Sequence, residues 1–235
     1  MNNPSKLLLV TGVGPGTGSA IVRHFAAQGY LVAMMARNEQ RLQQLNETIP
    51  GTFAFPCDVS DIEQLTHQLS LIERDIGFPD VLIHNAVGGA FGSFMDIDPA
   101  VLERNFKVNT MALLHLARWL SPAMIERGSG SILATGNTSA YRGKAGFAGF
   151  APTKAAQRIL LESMARSLGP EGVHVAYCAI DAVIDLPWTR KRYADKPREF
   201  FCQPRDIAAE CHRLVSQPRS AWSFESVIRP YGETW

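Results

Sequence analysis

The chain has 235 residues, 46% apolar and 19% charged, ample for a sizeable buried core and ordinary for a soluble globular protein. Its 23 basic and 22 acidic side chains nearly cancel, so nothing argues for nucleic acid or a charged membrane surface as partner. No apolar run reaches the ~18 residues of a membrane span, Met1–Lys6 lacks a signal-peptide core, and the scattered Cys57, Cys178, Cys202 and Cys211 show neither disulfide nor metal spacing.

A cytoplasmic protein with reduced thiols and no metal is expected. Its first element is an apolar run, Leu7 to Val10, that breaks into a turn holding Gly12, Gly14, Gly16 and Gly18. A helical pattern from Ser19 to Gln28 follows. Strand, glycine turn and helix N-terminus together form an anion site. Glycine lets the backbone approach a pyrophosphate, and the N–H groups of the first helical turn face its charge.

Tyr30 to Ala36 reads as a second strand and Glu39 to Ile49 as a helix stopped by Pro50-Gly51. Thr52 to Phe55 is a third strand. Ser60 and Glu63 read as a capping box for an amphipathic helix carrying Ile62, Leu65, Leu69, Ile72 and Ile76 and ending at Gly77. Asp80 to His84 is the fourth strand. Asp98-Pro99, an N-cap before a first-turn proline, opens a long helix to Gly128 with Leu102, Phe106, Asn109, Leu113, Leu116 and Leu120 on one stripe.

Ser131 to Thr135 is the fifth strand, followed by a Gly-, Ser- and Thr-rich loop to Gly149. Ala151 to Leu168 is helical, with Pro152 tolerated in its first turn. Val173 to Ile180 is the sixth strand, Asp181 to Gln203 reads as irregular, Pro204 to Gln217 as helix and Val227-Ile228 as an edge strand. This alternation predicts an α/β doubly wound parallel sheet, a Rossmann fold, as one domain over 1–235 with a substrate loop at about 181–203.

Ligands of such sheets sit beyond the carboxyl ends of the strands, and several polar residues fall there. The acid that binds a ribose 2′-hydroxyl about 20 positions past the glycines is missing; Ala36 and Arg37 stand in that region. A guanidinium pairs with a 2′-phosphate, which favours NADP over NAD, or it simply opens a loop in solvent. Asp58 meets an adenine edge or begins a turn, and Asn85 lines the cofactor or caps a loop. Asn109 interrupts an apolar stripe, where a buried amide costs about 1–3 kcal/mol unless bonded. It is a structural amide, or it holds a water or a backbone carbonyl near the site. Phe150 and Lys154 share one helix face. Arg190, Lys191 and Arg192, with Lys196 and Arg198, form a solvated face, select an acidic substrate or join the 2′-phosphate site.

Over nearly its whole length the chain resembles the short-chain dehydrogenase/reductase family. Thr11, Gly12, Gly16 and Gly18 match that family's T-G-x-x-x-G-x-G turn, Asp58-Val59 its adenine-side pair, and Asn85-Ala86 the centre of its N-N-A-G. Val87 replaces the glycine of that motif. The resemblance implies that Asn109 holds a water beside the lysine. It also implies that Lys154 binds the nicotinamide ribose, and that the chain forms a homodimer or homotetramer through the helices at 99–127 and 151–168.

The departures fall on the catalytic side. Phe150 stands where the family has its tyrosine, Asn137 where it has its serine, and Asp181-Ala182 where it has Pro-Gly. These changes, with the C-terminal Gln217–Trp222 stretch, resemble a divergent branch that keeps the lysine. Phenylalanine has no proton to give, and general acid catalysis is worth about 10²–10⁴-fold. Replacement donors are Thr138, Ser139, Tyr141, Asn137 and Lys154 acting through a water. Two functions follow: an NADP(H)-dependent oxidoreductase acting on a carbonyl or alcohol, or an inactive dinucleotide-binding sensor or scaffold.

Overall fold

Five consecutive apolar or β-branched residues make Leu7–Thr11 the strand β1, and all five are buried, as a parallel strand covered on both faces requires. The computed structural model describes residues 5–233; residues 1–4 of the polar opening stretch, and 234–235, lie outside it. From β1 the chain runs through α1 (Thr17–Ala27), β2 (Leu31–Ala36), α2 (Glu39–Thr48), β3 (Thr52–Pro56), α3 (Ile62–Asp75) and β4 (Val81–His84). Then come α4 (Pro99–Phe106), α5 (Ala112–Arg127), β5 (Gly130–Gly136), α6 (Ala151–Leu168) and β6 (Val173–Ile180).

The expected doubly wound sheet is present. Its order is β3-β2-β1-β4-β5-β6, with β9 (Glu225–Ile228) at the far edge, and every pairing is parallel. The chain works outward from β1 to β3, then returns to pair β4 with the other side of β1. This reversal leaves a crevice at the carboxyl ends of β1 and β4. Alternate residues of β1 feed two cores: Leu7 and Leu9 pack with α3, α5 and α6, and Leu8 and Val10 with α1, α2 and the late helix α8 (Pro204–Val215).

Three expectations are corrected. Ser60 and Glu63 form no capping box. Asp61 caps α3, its carboxylate accepting from Gln64 N at 3.0 Å, because Ser60 is already committed to Asp58. The segment 181–203 is built, not irregular. β7 (Val183–Ile184) pairs with β8 (Phe201–Cys202), and α7 (Pro187–Arg192) lies between, its buried Thr189 hydroxyl donating to Ile184 O at 2.6 Å. The long helix is divided: Asp98 caps it as expected, but Lys107–Met111 forms a π-helical turn between α4 and α5. The long helix ends at Gly128 as expected, and there the glycine adopts the left-handed conformation, with φ of 60°.

All four cysteines are buried as free thiols. Among the described residues no helix is long and apolar enough to cross a membrane.

Candidate active site

The glycine turn joins β1 to α1 at the crevice. Gly12 has φ of 72°, and a Cβ there would stand 2.5 Å from the Ala86 backbone, so the close approach of the β1 and β4 ends requires glycine. A Cβ on Gly18 would meet Gly12 O at 2.4 Å. Helix α1 begins after Gly16 with no side-chain cap and no acid in its first turn; Ser19 N–H donates to Gly14 O at 3.1 Å, and the N–H groups of Thr17 and Gly18 remain available to an anion. Leu186, leading into α7, folds back over this turn, with Cδ2 2.3 Å from where a Gly16 Cβ would be.

The ends of β1, β4 and β5 are sutured by side chains. Asn85 donates to Gly12 O at 2.8 Å and accepts from Thr135 Oγ1 at 3.0 Å. Thr11 Oγ1 meets His84 Nδ1 at 3.0 Å, and His84 Nε2 meets Val108 O at 3.0 Å. A carbonyl only accepts, so Nε2 carries the proton and Nδ1 accepts from the threonine. Burial, helped by the nearby Lys154 charge, pushes His84 down to about 3 and keeps it neutral.

A π-turn adjoins these bonds: Ala112 N–H donates to Lys107 O in place of Val108 O, and the Val108 carbonyl accepts from His84 instead, while the Asn109 carbonyl accepts from Gln157 at 2.7 Å. Asn109 is fully buried. Its amide clamps Gly88 in both directions, accepting from its N–H at 2.9 Å and donating to its carbonyl at 2.7 Å, and also donates to Thr153 Oγ1 at 2.8 Å. The side chain is thus a structural clamp that holds a backbone carbonyl of the post-β4 loop. Its main-chain oxygen is the part that faces Lys154, through Gln157.

Lys154 is 2% exposed. Its amine donates to Thr135 O at 3.3 Å and to Gln157 Oε1 at 2.9 Å, and Gln157 Nε2 donates to Asn109 O at 2.7 Å. Burial without a carboxylate partner lowers the amine to about 7. Phe150, the residue before α6, lays its ring against Gly89, its centroid 6.0 Å from the Lys154 Nζ. Phe91 packs on Phe147 and Phe150, with centroid distances of 5.2 and 6.4 Å.

Arg37 and Asp58 lie at the ends of β2 and β3. Burial pushes Asp58 up, but hydrogen bonds from Ser60 and the charges of Arg37 and Arg104 outweigh it and leave the carboxyl below its usual range. Val59 is buried in the core behind it. Arg104, on α4, was not legible as a neighbour of this corner.

Two candidate donors are engaged elsewhere. The Tyr141 hydroxyl donates to Glu225, which Arg158 also holds through two bonds of 2.8 and 3.0 Å. Burial and that carboxylate push the phenol well above its ordinary value. Thr138 donates to Asp181. Asn137 follows β5 with its side-chain oxygen accepting from Ser139 N at 3.1 Å; among the described residues its NH₂ has no partner. The basic cluster is divided: Arg190 pairs with Asp185 at 2.6 Å and covers the Phe201 ring at 4.0 Å.

Gln157 is the residue that sequence reasoning missed. The signal was present, since it repeats the Phe150–Lys154 face one turn further along.

A family profile described as short chain dehydrogenase matches residues 6–195. Carbonyl reductase [NADPH] 2 of Sus scrofa is 31% identical, over 97% of this chain and 96% of its own length. The 7alpha-hydroxysteroid dehydrogenase of Escherichia coli K12 is 28% identical over 97% and 93%. Among solved structures, a metagenomic short-chain oxidoreductase in complex with NADP superimposes with a TM-score of 0.83 at 25% identity, covering 96% of this chain and 97% of that one.

Proposed function

The chain belongs to the short-chain dehydrogenase/reductase family, and on that premise we propose that it is an NADP(H)-dependent oxidoreductase acting on a carbonyl or alcohol through an atypical site that lacks the usual tyrosine. One observation carries the reading: Thr135 joins the buried Lys154 amine to the glycine turn, its carbonyl accepting from the amine at 3.3 Å and its hydroxyl donating at 3.0 Å to Asn85, which holds Gly12 O at 2.8 Å below an uncapped helix N-terminus. The bound dinucleotide supplies or accepts the hydride.

The chain's own residues do the rest. The N–H groups at the start of α1 hold the pyrophosphate, Arg37 meets a 2′-phosphate, and Asp58 with Val59 takes the adenine side. Asn85 and Ala86 fix the β4 end against Gly12. Lys154 binds the ribose end of the cofactor and holds a proton at Nζ near neutral pH, where a general acid is most useful. The Asn137 amide donates a hydrogen bond to the substrate oxygen, and Phe150 walls the site against water.

The mouth is apolar. Phe91, Phe94 and Met95 are 71%, 78% and 77% exposed, and beside them a cavity of about 540 Å³ is lined by Phe94, Phe147, Arg142 and Lys144 among others. A carbonyl on an apolar body suits this surface. An acidic group on it is better met by Arg142 and Lys144 than by Arg190, which is already paired. Assembly as a homodimer or homotetramer through the helical stretch 99–127 and α6, in the cytoplasm, belongs to the same reading.

NADPH oxidation against a panel of aromatic and aliphatic carbonyls tests it. Turnover that falls by about 10²-fold or more in Lys154→Met supports the reading. NADPH binding with no turnover on any carbonyl or alcohol replaces it with the dinucleotide-binding sensor.

A further inference from the structure

Two residues of α6 bond the π-turn: Thr153, which accepts from the Asn109 amide at 2.8 Å and from the Thr110 hydroxyl at 3.1 Å, and Gln157, which alone of the two also reaches Lys154. Gln157 is fully buried, and both ends of its amide are used: Oε1 accepts from Lys154 Nζ at 2.9 Å and Nε2 donates to Asn109 O at 2.7 Å. The Asn109 carbonyl belongs to the π-turn Lys107–Met111, so the Gln157 amide ties the amine to that turn. The Thr135 carbonyl takes a second hydrogen of the amine at 3.3 Å. An ammonium has three donors, so one is left without a partner among the described residues.

We infer that Gln157 is a positioning residue for Lys154: its amide bridges the amine to the Asn109 carbonyl and so fixes the direction in which the amine offers its remaining hydrogen to the site. An amide held at both ends cannot rotate away, and it does not pass a proton onward. The lysine therefore exchanges its proton at the mouth of the crevice and not through the interior.

The surroundings make the arrangement specific to Gln157. Among the described residues the titratable group facing Lys154 is His84 on β4, and it is neutral above about pH 3. Thr135 on β5 offers a carbonyl, Asn109 in the π-turn reaches the amine only through Gln157, and Phe150 offers a ring. Among the described residues no carboxylate supports the charged amine, and the Gln157 oxygen and the Thr135 carbonyl are its acceptors.

For its kinetic arm the inference rests on the oxidoreductase reading; for its spectroscopic arm it does not. The full chain is labelled with ε-¹³C lysine, and the Lys154 signal is identified by its loss in Lys154→Arg. Its titration is then followed in wild type, Gln157→Met and Gln157→Glu, each checked for folding by circular dichroism. Loss of the acceptor in Gln157→Met moves the midpoint down by about one pH unit. A carboxylate in Gln157→Glu moves it up by roughly one to two units. The acid limb of NADPH oxidation moves in the same two directions.

If every folded variant keeps the wild-type midpoint, Gln157 only fills space and the inference is overturned. Should Gln157→Met not fold, the upward shift in Gln157→Glu decides alone. Shifted midpoints in a protein without turnover leave the positioning role standing and remove the oxidoreductase reading.

Discussion

The Phe150 ring centroid stands 6.0 Å from Lys154 Nζ, one helical turn away at the start of α6. A side chain with no proton thus covers an amine that titrates near neutrality. On the proposed function, the amine would hold the proton and the ring beside it has none to hand on.

Phe150→Tyr adds a hydroxyl to that ring. It is expected to raise kcat/KM for carbonyl reduction on the order of 10²–10⁴-fold, with the Kd for NADPH unchanged. Steady-state kinetics beside a binding titration check this. An unchanged rate would mean that proton delivery does not limit this enzyme.

Arg37 is the cation at the end of β2, close enough to Asp58 to lower it together with Arg104. A charge-assisted bond is worth about 1.5–3 kcal/mol, so Arg37→Ala is expected to weaken NADPH about 10- to 100-fold. NADH affinity should change by less than about twofold, since it has no 2′-phosphate. Equal losses for both cofactors would remove Arg37 from the 2′-phosphate site.

His84 is neutral in the fold and has a pKa of about 3 there, against 6.5 unfolded. The unfolded chain therefore binds the extra proton, and stability is full above pH 6.5 and is lost as pH falls toward 3. Each unit in that window costs about 1.4 kcal/mol for this group. Denaturant melts between pH 7 and 4.5 should show a shallower slope in His84→Asn than in wild type. That variant also leaves partners unpaired, which lowers overall stability by about 1–3 kcal/mol. An unaltered slope would show that His84 is not the group being protonated.

Lys154 carries the same logic to alkaline pH. Its pKa of about 7 lies below the 10.5 of the unfolded chain, so the unfolded state holds more protons between those values. Stability due to this group is lowest below pH 7 and rises toward 10.5, by about 1.4 kcal/mol per unit. Wild type should gain stability between pH 7 and 9 relative to Lys154→Met, in which that gain is absent. Parallel curves would show that the amine keeps its ordinary affinity for protons in the fold.

Much of the fold was legible because parallel strands and amphipathic helices write strong periods. Ala151–Leu168 and Val173–Ile180 match their expected bounds, and Asp98 caps its helix as its position before Pro99 suggested. Local chemistry misled where two caps competed: Ser60 resembles an N-cap, but its bond to Asp58 left Asp61 to do the capping. The segment 181–203 looked irregular because β7 and β8 are two residues each, too short for any period.

The site was legible where a polar residue broke an apolar stripe, as Asn109 does. Its setting was not, since the carbonyls of the π-turn bond to His84 and Gln157, which are distant in sequence. Tyr141 looked like a free phenol until β9 brought Glu225 to it.

The central claim is that a dinucleotide lodges on the glycine turn with Lys154 at its ribose end, and equilibrium titration with NADPH and NADH tests it most directly. Saturating NADPH should quench the tryptophans, raise the Tm and bind more tightly than NADH, with both effects weakened in Lys154→Met. If neither cofactor moves the Tm or the fluorescence at millimolar concentration, the cofactor site assigned here is contradicted.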